Sequence, residues 1–476
     1  MKNIFKSIFI ILILCLYESG TLTGNSCYPR SIFVPRQLSY NPILENALVL
    51  DAQLTEPWNY IFSVQPIYTQ SIGSKLQQYF TLNHQCTLDV QENGSGDVSS
   101  LWFKVISSDD TFYTSQLSFR PKRYTYGGLL YFAAQLPCNF HISINTAVIS
   151  TRNNMHIREK NVQNLGTVAG YDTVTESFSN SARLFGRICG TRTKTGLDDI
   201  QIKVAYNPYK NECLYWDIYG LFGIPTGNGS KACYLFEPLV GSKHVQLGFG
   251  SNGRWNIMNN DCGSWSVLSE LKYRYAFKGT ERRSFDLTNN GQWSRNMLFV
   301  KESNKYVTYP AINSLTLATQ VTPKSSFDLY LATHFDRKSW NFELGYNLWY
   351  RSAEKVALCC KQLPAVGARI GMADLTGIAA QNPQTASTAN ISQGVQPGVN
   401  QVTSDTAFIP VTISDINLLS GAQARSLSNS VYGSVGYKFD VKCHTLQVGL
   451  NAAYERGSSV NTPDNITTWL NLNLYF

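Results

Sequence analysis

Apolar and polar residues alternate with a period of two along much of this chain. At its end, Leu470, Leu472, Leu474 and Phe476 share one face of an extended segment, and Trp469, Asn471, Asn473 and Tyr475 share the other. The pattern recurs upstream. Trp58, Tyr60, Phe62 and Val64 alternate with Asn59, Ser63 and Gln65, and Ile200, Ile202, Val204 and Tyr206 with Gln201, Lys203 and Asn207. The clearest pair lies further on. Phe327, Leu329, Leu331 and Phe335 oppose Asp328, Tyr330 and His334. After the polar residues 336–339, Trp340, Phe342, Leu344, Tyr346, Leu348 and Tyr350 oppose Asn341, Glu343, Asn347 and Arg351. Two neighbouring strands, each with an aromatic-rich and a charged face, predict a hairpin.

Further strands are expected at 124–136, 139–149, 215–224, 244–250, 265–277, 431–440 and 445–455, with weaker ones at 294–300 and 306–321. The expected fold class is all-β: a transmembrane antiparallel up-and-down β-barrel of about 14 strands, range 12–16, with long extracellular loops. Residues 71–123 have room for another strand pair. Connections at 137–138, 208–212, 301–305, 336–339 and 441–444 are short, and 251–264 falls at the same end. Those at 71–123, 150–198, 225–243, 278–293, 351–430 and 456–467 alternate with them and are mostly long. Short periplasmic turns, long outer loops and both termini on the periplasmic side are the arrangement such barrels share.

Composition agrees. Charged residues are 15% and aromatics 13% of the 476 residues, against ~25% charged in soluble domains. Half of each strand would face lipid, which removes the need for charge there. Lys2 and Lys6 precede an apolar run over residues 8–17, too short for a spanning helix of ~20 residues. That order reads as a signal peptide over 1–26. Residues 27–56 then form a periplasmic lead-in or small plug, and 57–476 the barrel, with its largest loop at 351–430. The Ala-, Gln-, Asn- and Ser-rich stretch 377–405 would be that loop's tip. Residues 174–190 lack period two and suit either a lumen constriction or a surface flap. The net charge of +8 contains no basic cluster, so nucleic acid is not an expected partner.

Removing Cys15 with the signal leaves Cys27, Cys86, Cys138, Cys189, Cys213, Cys233, Cys262, Cys359, Cys360 and Cys443. An exported chain with an even cysteine count permits disulfides. Cys359, Cys360 and Cys233 fall in expected outer loops and are candidates for cross-links. No CxxC and no zinc-ligand spacing occur, so neither a metal nor a cofactor is expected.

The terminal strand resembles the closing strand of Gram-negative outer-membrane barrels. This resemblance implies an assembly signal of Leu470, Leu472, Leu474 and Phe476, read by the barrel-assembly machinery. Gly196-Leu-Asp-Asp199, Gly223-Ile-Pro-Thr-Gly227 and Gly248-Phe-Gly250 resemble, in order, a pattern of the phenol-degradation transporter-like family. Those barrels are similar in turn to long-chain fatty-acid channels. The resemblance covers roughly residues 195–350, and Leu197 departs from the family's Gly before Asp. It implies passage of hydrophobic or small organic solutes.

The expected function is an outer-membrane porin or channel for passive passage of small solutes. Lys203, Asp217, Glu270, Lys272, Arg274, Asp328, His334, Glu343 and Arg351 would line its pore, with both charge signs represented. Outer-membrane lipid and small solutes are the other expected partners. A structural or adhesive barrel with disulfide-linked loops is the alternative. A barrel enzyme is not expected. Ser251-Asn-Gly-Arg254 resembles the nucleophile segment of outer-membrane phospholipase A, but Phe249 stands where a His must take the hydroxyl proton, and His244 is seven residues away. Asp328 and His334 are six residues apart on one strand, ~20 Å.

Overall fold

The computed structural model describes residues 40–46, 59–92, 96–105, 112–163, 170–260, 263–301, 304–359, 363, 370–372, 409–441 and 444–476. The expected signal peptide and the loop tip 377–405 lie outside the described residues.

Twelve antiparallel strands close into a barrel. They are β1 (Tyr60–Ile72), β2 (Lys122–Gln135), β3 (Phe140–Asn154), β4 (Ile200–Lys210), β5 (Leu214–Ile224) and β6 (Gln246–Asn260). There follow β7 (Gly263–Ala276), β8 (Lys324–Arg337), β9 (Trp340–Arg351), β10 (Ser426–Val441), β11 (His444–Gly457) and β12 (Asp464–Tyr475). Each pairs with its sequence neighbours. The seam joins β1 to β12, with Phe62 opposite Leu474 and Ile72 opposite Asp464. A short extra strand, Thr191–Leu197, pairs with the end of β3 that β4 leaves free.

Alternation sets the two faces. Leu271, Leu344, Val431, Leu450 and Leu470 point outward in mid-strand and are exposed on the barrel's exterior. Aromatic rings border this aliphatic belt. Phe140, Tyr206, Trp216, Trp265, Trp340 and Phe439 lie outward near the short-turn end, and Tyr68, Tyr126, Phe222, Phe249, Phe327 and Tyr454 near the other. The inward positions between them are buried.

The barrel has twelve strands because the two weak segments expected over 294–321 leave the wall. They form Leu298–Lys301, Asn304–Pro310 and Thr316–Thr322, in two small sheets at the long-loop end. Phe299, Leu315 and Leu317 there are buried, so these segments serve a core rather than a lipid face. Residues 71–123 do hold a strand pair, Thr87–Gln91 with Thr114–Ser118, also outside the wall. Conversely, β6 runs to Asn260, ten residues beyond the expected end. Ser251 and Gly253 take outward positions there, so the apolar pattern lapses although the strand continues.

The long connections fold on one another. Phe103, Tyr113, Phe119, Phe178, Phe285 and Phe299 are fully buried in a single apolar cluster drawn from several loops. Phe103 and Phe178 lie 5.1 Å apart between ring centroids. The helix Val174–Ser179, capped by the Thr173 hydroxyl accepting from the Glu176 amide at 3.1 Å, packs Val174 and Phe178 into this cluster. Residues 174–179 thus belong to a folded cap.

Candidate functional site in the barrel lumen

Twelve strands enclose more space than wall side chains fill; eight are just filled, and sixteen leave an aqueous channel. Here the N-terminal segment occupies part of that space. Tyr40, Ile43 and Leu44 are buried in one cluster with Ile67, Leu129, Ile149, Leu268, Tyr330, Tyr432 and Trp469 of the wall. A short helical turn, Ile43–Asn46, starts where Asn41 Oδ1 accepts from the Ile43 amide at 3.1 Å. Asn41 Nδ2 donates to Ser430 Oγ of β10 at 3.3 Å.

That turn aims Glu45 at β7. Lys272 Nζ lies 2.7 Å from Glu45 Oε2, and Arg274 Nη1 lies 3.6 Å from Oε1. Tyr40 OH and Gln201 Nε2 donate to Oε1 at 3.1 and 2.9 Å. Burial pushes the Glu45 carboxyl up, but Lys272 and Arg274 outweigh it and hold it at about 2. Arg274 Nη2 also donates to Asp328 Oδ2 at 2.8 Å, and Lys272 lies 3.7 Å from Glu270. Glu270 accepts from Tyr219 OH. Alternation places these groups inward, and the register of β7 with β8 puts Lys272 directly opposite Asp328.

Closer to the short turns, Glu343 accepts from Tyr330 OH at 2.7 Å and from Tyr432 OH. His334 Nδ1 lies 2.9 Å from Glu343 Oε2, and its Nε2 lies 3.0 Å from Asp336 Oδ2. Lys438 Nζ donates to Asp336 Oδ1 at 3.0 Å. The other three expected residues have further partners of their own. Lys203 Nζ sits 4.3 Å above the Tyr219 ring. Asp217 accepts from the Asn252 amide at 3.1 Å, with His141 at 3.7 Å. Arg351 lies at the junction with the cap, where it donates to Gln423 Oε1 at 2.5 Å.

All nine expected residues therefore turn inward. Glu270, Lys272, Arg274 and Asp328 come together, as do His334 and Glu343. Their side chains bond one another, other inward residues of the wall, the cap or the N-terminal segment. Nothing in the local pattern marks Glu45, because its cationic partners, Lys272 and Arg274, lie 227 residues and more along the chain. The one available signal is a single acid, next to Asn46, between the apolar residues Ile43, Leu44 and 47–50.

The three Gly-rich motifs also converge in part. Asp199 Oδ1 accepts from the Gly227 amide at 3.1 Å, and Oδ2 from the Ser242 amide at 2.9 Å. A Cβ on Gly227 would stand 2.5 Å from Gly241 Cα. Glycine is required because two loop backbones cross there. Gly248 lies on β6, where a Cβ would meet Tyr273 O of β7 at 2.4 Å. These residues knit strand ends and loops. Ser251 Oγ donates to Asp217 O at 3.0 Å and accepts from Trp216 Nε1 at 2.6 Å. His244 faces Glu281 at 2.9 Å and the Phe277 carbonyl at 2.8 Å. Each has its own partners, and the described contacts do not join them.

Among the described residues, Cys86, Cys138, Cys189, Cys213, Cys233 and Cys359 are free thiols. The expected loop cross-link through Cys233 and Cys359 is not formed; Cys360 lies outside the described residues.

No protein-family model matches the chain, and no curated protein matches it. Among solved structures, it is similar to an outer membrane channel from Pseudomonas putida F1, at 10% identity and a TM-score of 0.40, covering 90% of this chain and 98% of that one. It is also similar to the toluene transporter TodX of Pseudomonas putida, at 9% identity and a TM-score of 0.27, covering 93% and 94%. The KdgM porin is a third, at 8% identity and a TM-score of 0.24, covering 82% and 98%.

Proposed function

We propose that this protein is a bacterial outer-membrane channel for small solutes, and that its N-terminal segment closes the lumen in the conformation described. The exterior supports the placement: an aliphatic belt between two aromatic girdles matches a bilayer's core and its two interfaces. With the short turns in the periplasm, the folded cap lies outside the cell.

The observation that carries the channel reading is the Glu45–Lys272 contact. A barrel meant only as a wall could fill its lumen with apolar side chains. This one uses a separate chain segment, held partly by charge. When a buried ion pair separates, both charges regain hydration, which offsets much of the lost attraction, so a segment held this way is suited to leave. Behind it, Lys272, Arg274, Glu270 and Asp328 would line a water-filled path of mixed sign.

Planar-bilayer recording of the full chain and of a variant lacking residues 40–46 tests this. Rare openings in the first and frequent openings in the second are expected. Silent bilayers from both, with the barrel folded, would leave the structural or adhesive reading, which the compact apolar core of the cap supports.

A further inference from the structure

The sequence has no run of basic residues, but the fold brings five cations together at the long-loop end of the barrel. The short extra strand Thr191–Leu197 pairs there with β3, with Arg192 opposite Asn153 and Lys194 opposite Thr151. Asn153 and Thr151 are buried inward positions, and residues directly opposite in a ladder share a face. Arg192 and Lys194 therefore point inward, ~7 Å apart along the strand.

The loop between β5 and β6 lies over that face. A Cβ on Gly196 would stand 2.5 Å from Asn228 Nδ2, and one on Gly229 would stand 2.6 Å from Lys243 Cδ. Lys231 and Lys243 of this loop are close enough to act on the Lys194 charge, as is Glu237. Tyr234 of the same loop meets two guanidiniums. Arg192 Cζ lies 4.3 Å and Arg187 Cζ 5.6 Å from its ring centroid. The Arg187 amide donates to Cys233 O at 3.0 Å, and the Leu235 amide donates to Arg187 O at 2.9 Å, which fixes Arg187 against the loop.

The acids nearby are committed to other donors. Glu237 Oε2 accepts from Ser230 Oγ and the Ala232 amide at 2.8 Å each, and from the Lys231 amide at 3.1 Å. Asp199 is taken up by the Gly227 and Ser242 amides. Among the described residues, none of the five cations forms an ion pair or a side-chain hydrogen bond. Arg187 Nε and Arg192 Nε are buried without a partner. Like charges held this close repel, and a buried donor without an acceptor has lost its hydration for nothing in return. A bound anion relieves both at once.

We propose that Arg187, Arg192, Lys194, Lys231 and Lys243 bind a small solute carrying a carboxylate or phosphate group and draw such anions into the barrel. The binding stands on the cluster itself; its role in passage rests on the channel reading above. Guanidinium forks match groups with two anionic oxygens, and lysines add point charge. The inward face turns the cluster to the lumen and away from lipid headgroups. Charge of one sign lining a mouth raises the local concentration of the opposite ion.

The test is isothermal titration of the detergent-solubilised full chain with succinate and with inorganic phosphate at fixed ionic strength, with glucose as the neutral control. Saturable binding of at least one anion, and none of glucose, is expected. Affinity should fall at least tenfold in the double variant Arg192→Gln, Lys194→Gln. It should hold in Arg337→Gln, which removes an exposed cation at the short-turn end of β8. Heat-modifiable migration checks folding; Lys231→Gln, Lys243→Gln is the second variant if the first fails that check. Neither anion binding, glucose binding equally, less than a tenfold loss in the folded double variant, or a matching loss in Arg337→Gln would each overturn the proposal. Planar-bilayer currents of the same samples report on the channel separately. Silent bilayers with saturable binding would remove passage and leave the site, whereas a conducting protein that binds neither anion would remove the site and leave the channel.

Discussion

Lys272 Nζ lies 2.7 Å from Glu45 Oε2, so a strand of the wall holds the N-terminal segment that occupies part of the lumen. The two residues are 227 positions apart in sequence. In the proposed gate, this contact is what ties the state of the lumen to one buried carboxylate.

Glu45→Gln should loosen that segment. It removes the negative member of a buried ion pair and leaves Lys272 and Arg274 facing a neutral amide. Breaking such pairs costs ~3–5 kcal/mol, far above the ~1.4 kcal/mol that changes an equilibrium tenfold. Open probability in planar bilayers should rise at least tenfold. An unchanged open probability in folded protein would remove the segment as a gate.

Acid should act in the same direction. Glu45 is held at about 2, below the usual ~4.3 for a glutamate. A depressed carboxyl contributes stability that is present above its ordinary value and lost as pH falls towards the depressed one. Docking should be flat from pH 8 to pH 5 and weaken below about pH 4. The groups facing Glu45 are Lys272, Arg274, Gln201 and Tyr40, with Asp328 and Glu270 behind the two cations. Conductance recorded from pH 8 to pH 3 should therefore increase only at the acid end, and the rise should be absent in Glu45→Gln.

Leu344 is outward in mid-strand and highly exposed on the exterior. Leu344→Arg should cost ~2–4 kcal/mol in the bilayer, and Leu344→Met close to nothing. Folding titrations into lipid vesicles measure the difference. Equal stability of the two variants would contradict the assignment of this face to lipid.

Phe476 closes the seam. Its amide donates to Tyr60 O at 3.0 Å, and the Tyr60 amide donates to Phe476 O at 3.3 Å. Its ring stacks edge-on with His444 at 5.1 Å. Deleting Phe476 should lower the folded, heat-modifiable fraction in the outer membrane several-fold. Phe476→Tyr, which keeps the ring and backbone, should assemble as the wild type does.

Asp199→Ala should free the loop crossing at Gly227 and Ser242. Two backbone amides lose a charged acceptor, and hydrogen bonds to charged groups contribute about 1.5–3 kcal/mol each. Limited proteolysis of intact cells should cut the 225–245 loop faster in this variant. Gly227→Ala should give the same phenotype by forcing Gly241 away.

The alternation alone determined most of the wall. Leu470 and Asn471 must face opposite ways because side chains on a strand do. That rule places Glu270, Lys272, Arg274, Asp328 and Glu343 inside without any tertiary information. Where outward residues were small and polar, as at Ser251 and Gly253 of β6, the pattern lapsed although the ladder of hydrogen bonds continued. Where apolar residues served another purpose, as at Phe299 and Leu317, the pattern predicted wall that is instead cap. The tertiary structure decided three things. It gathered Phe103, Phe178 and Phe285 from distant loops into one core, since packing of irregular segments leaves no period to read. It crossed the loops at Gly227 and Gly241. It seated Glu45 on Lys272. Short-range pattern carries the geometry of a strand, but a contact between segments far apart in sequence depends on how the whole barrel closes, and that closure is a property of the folded chain.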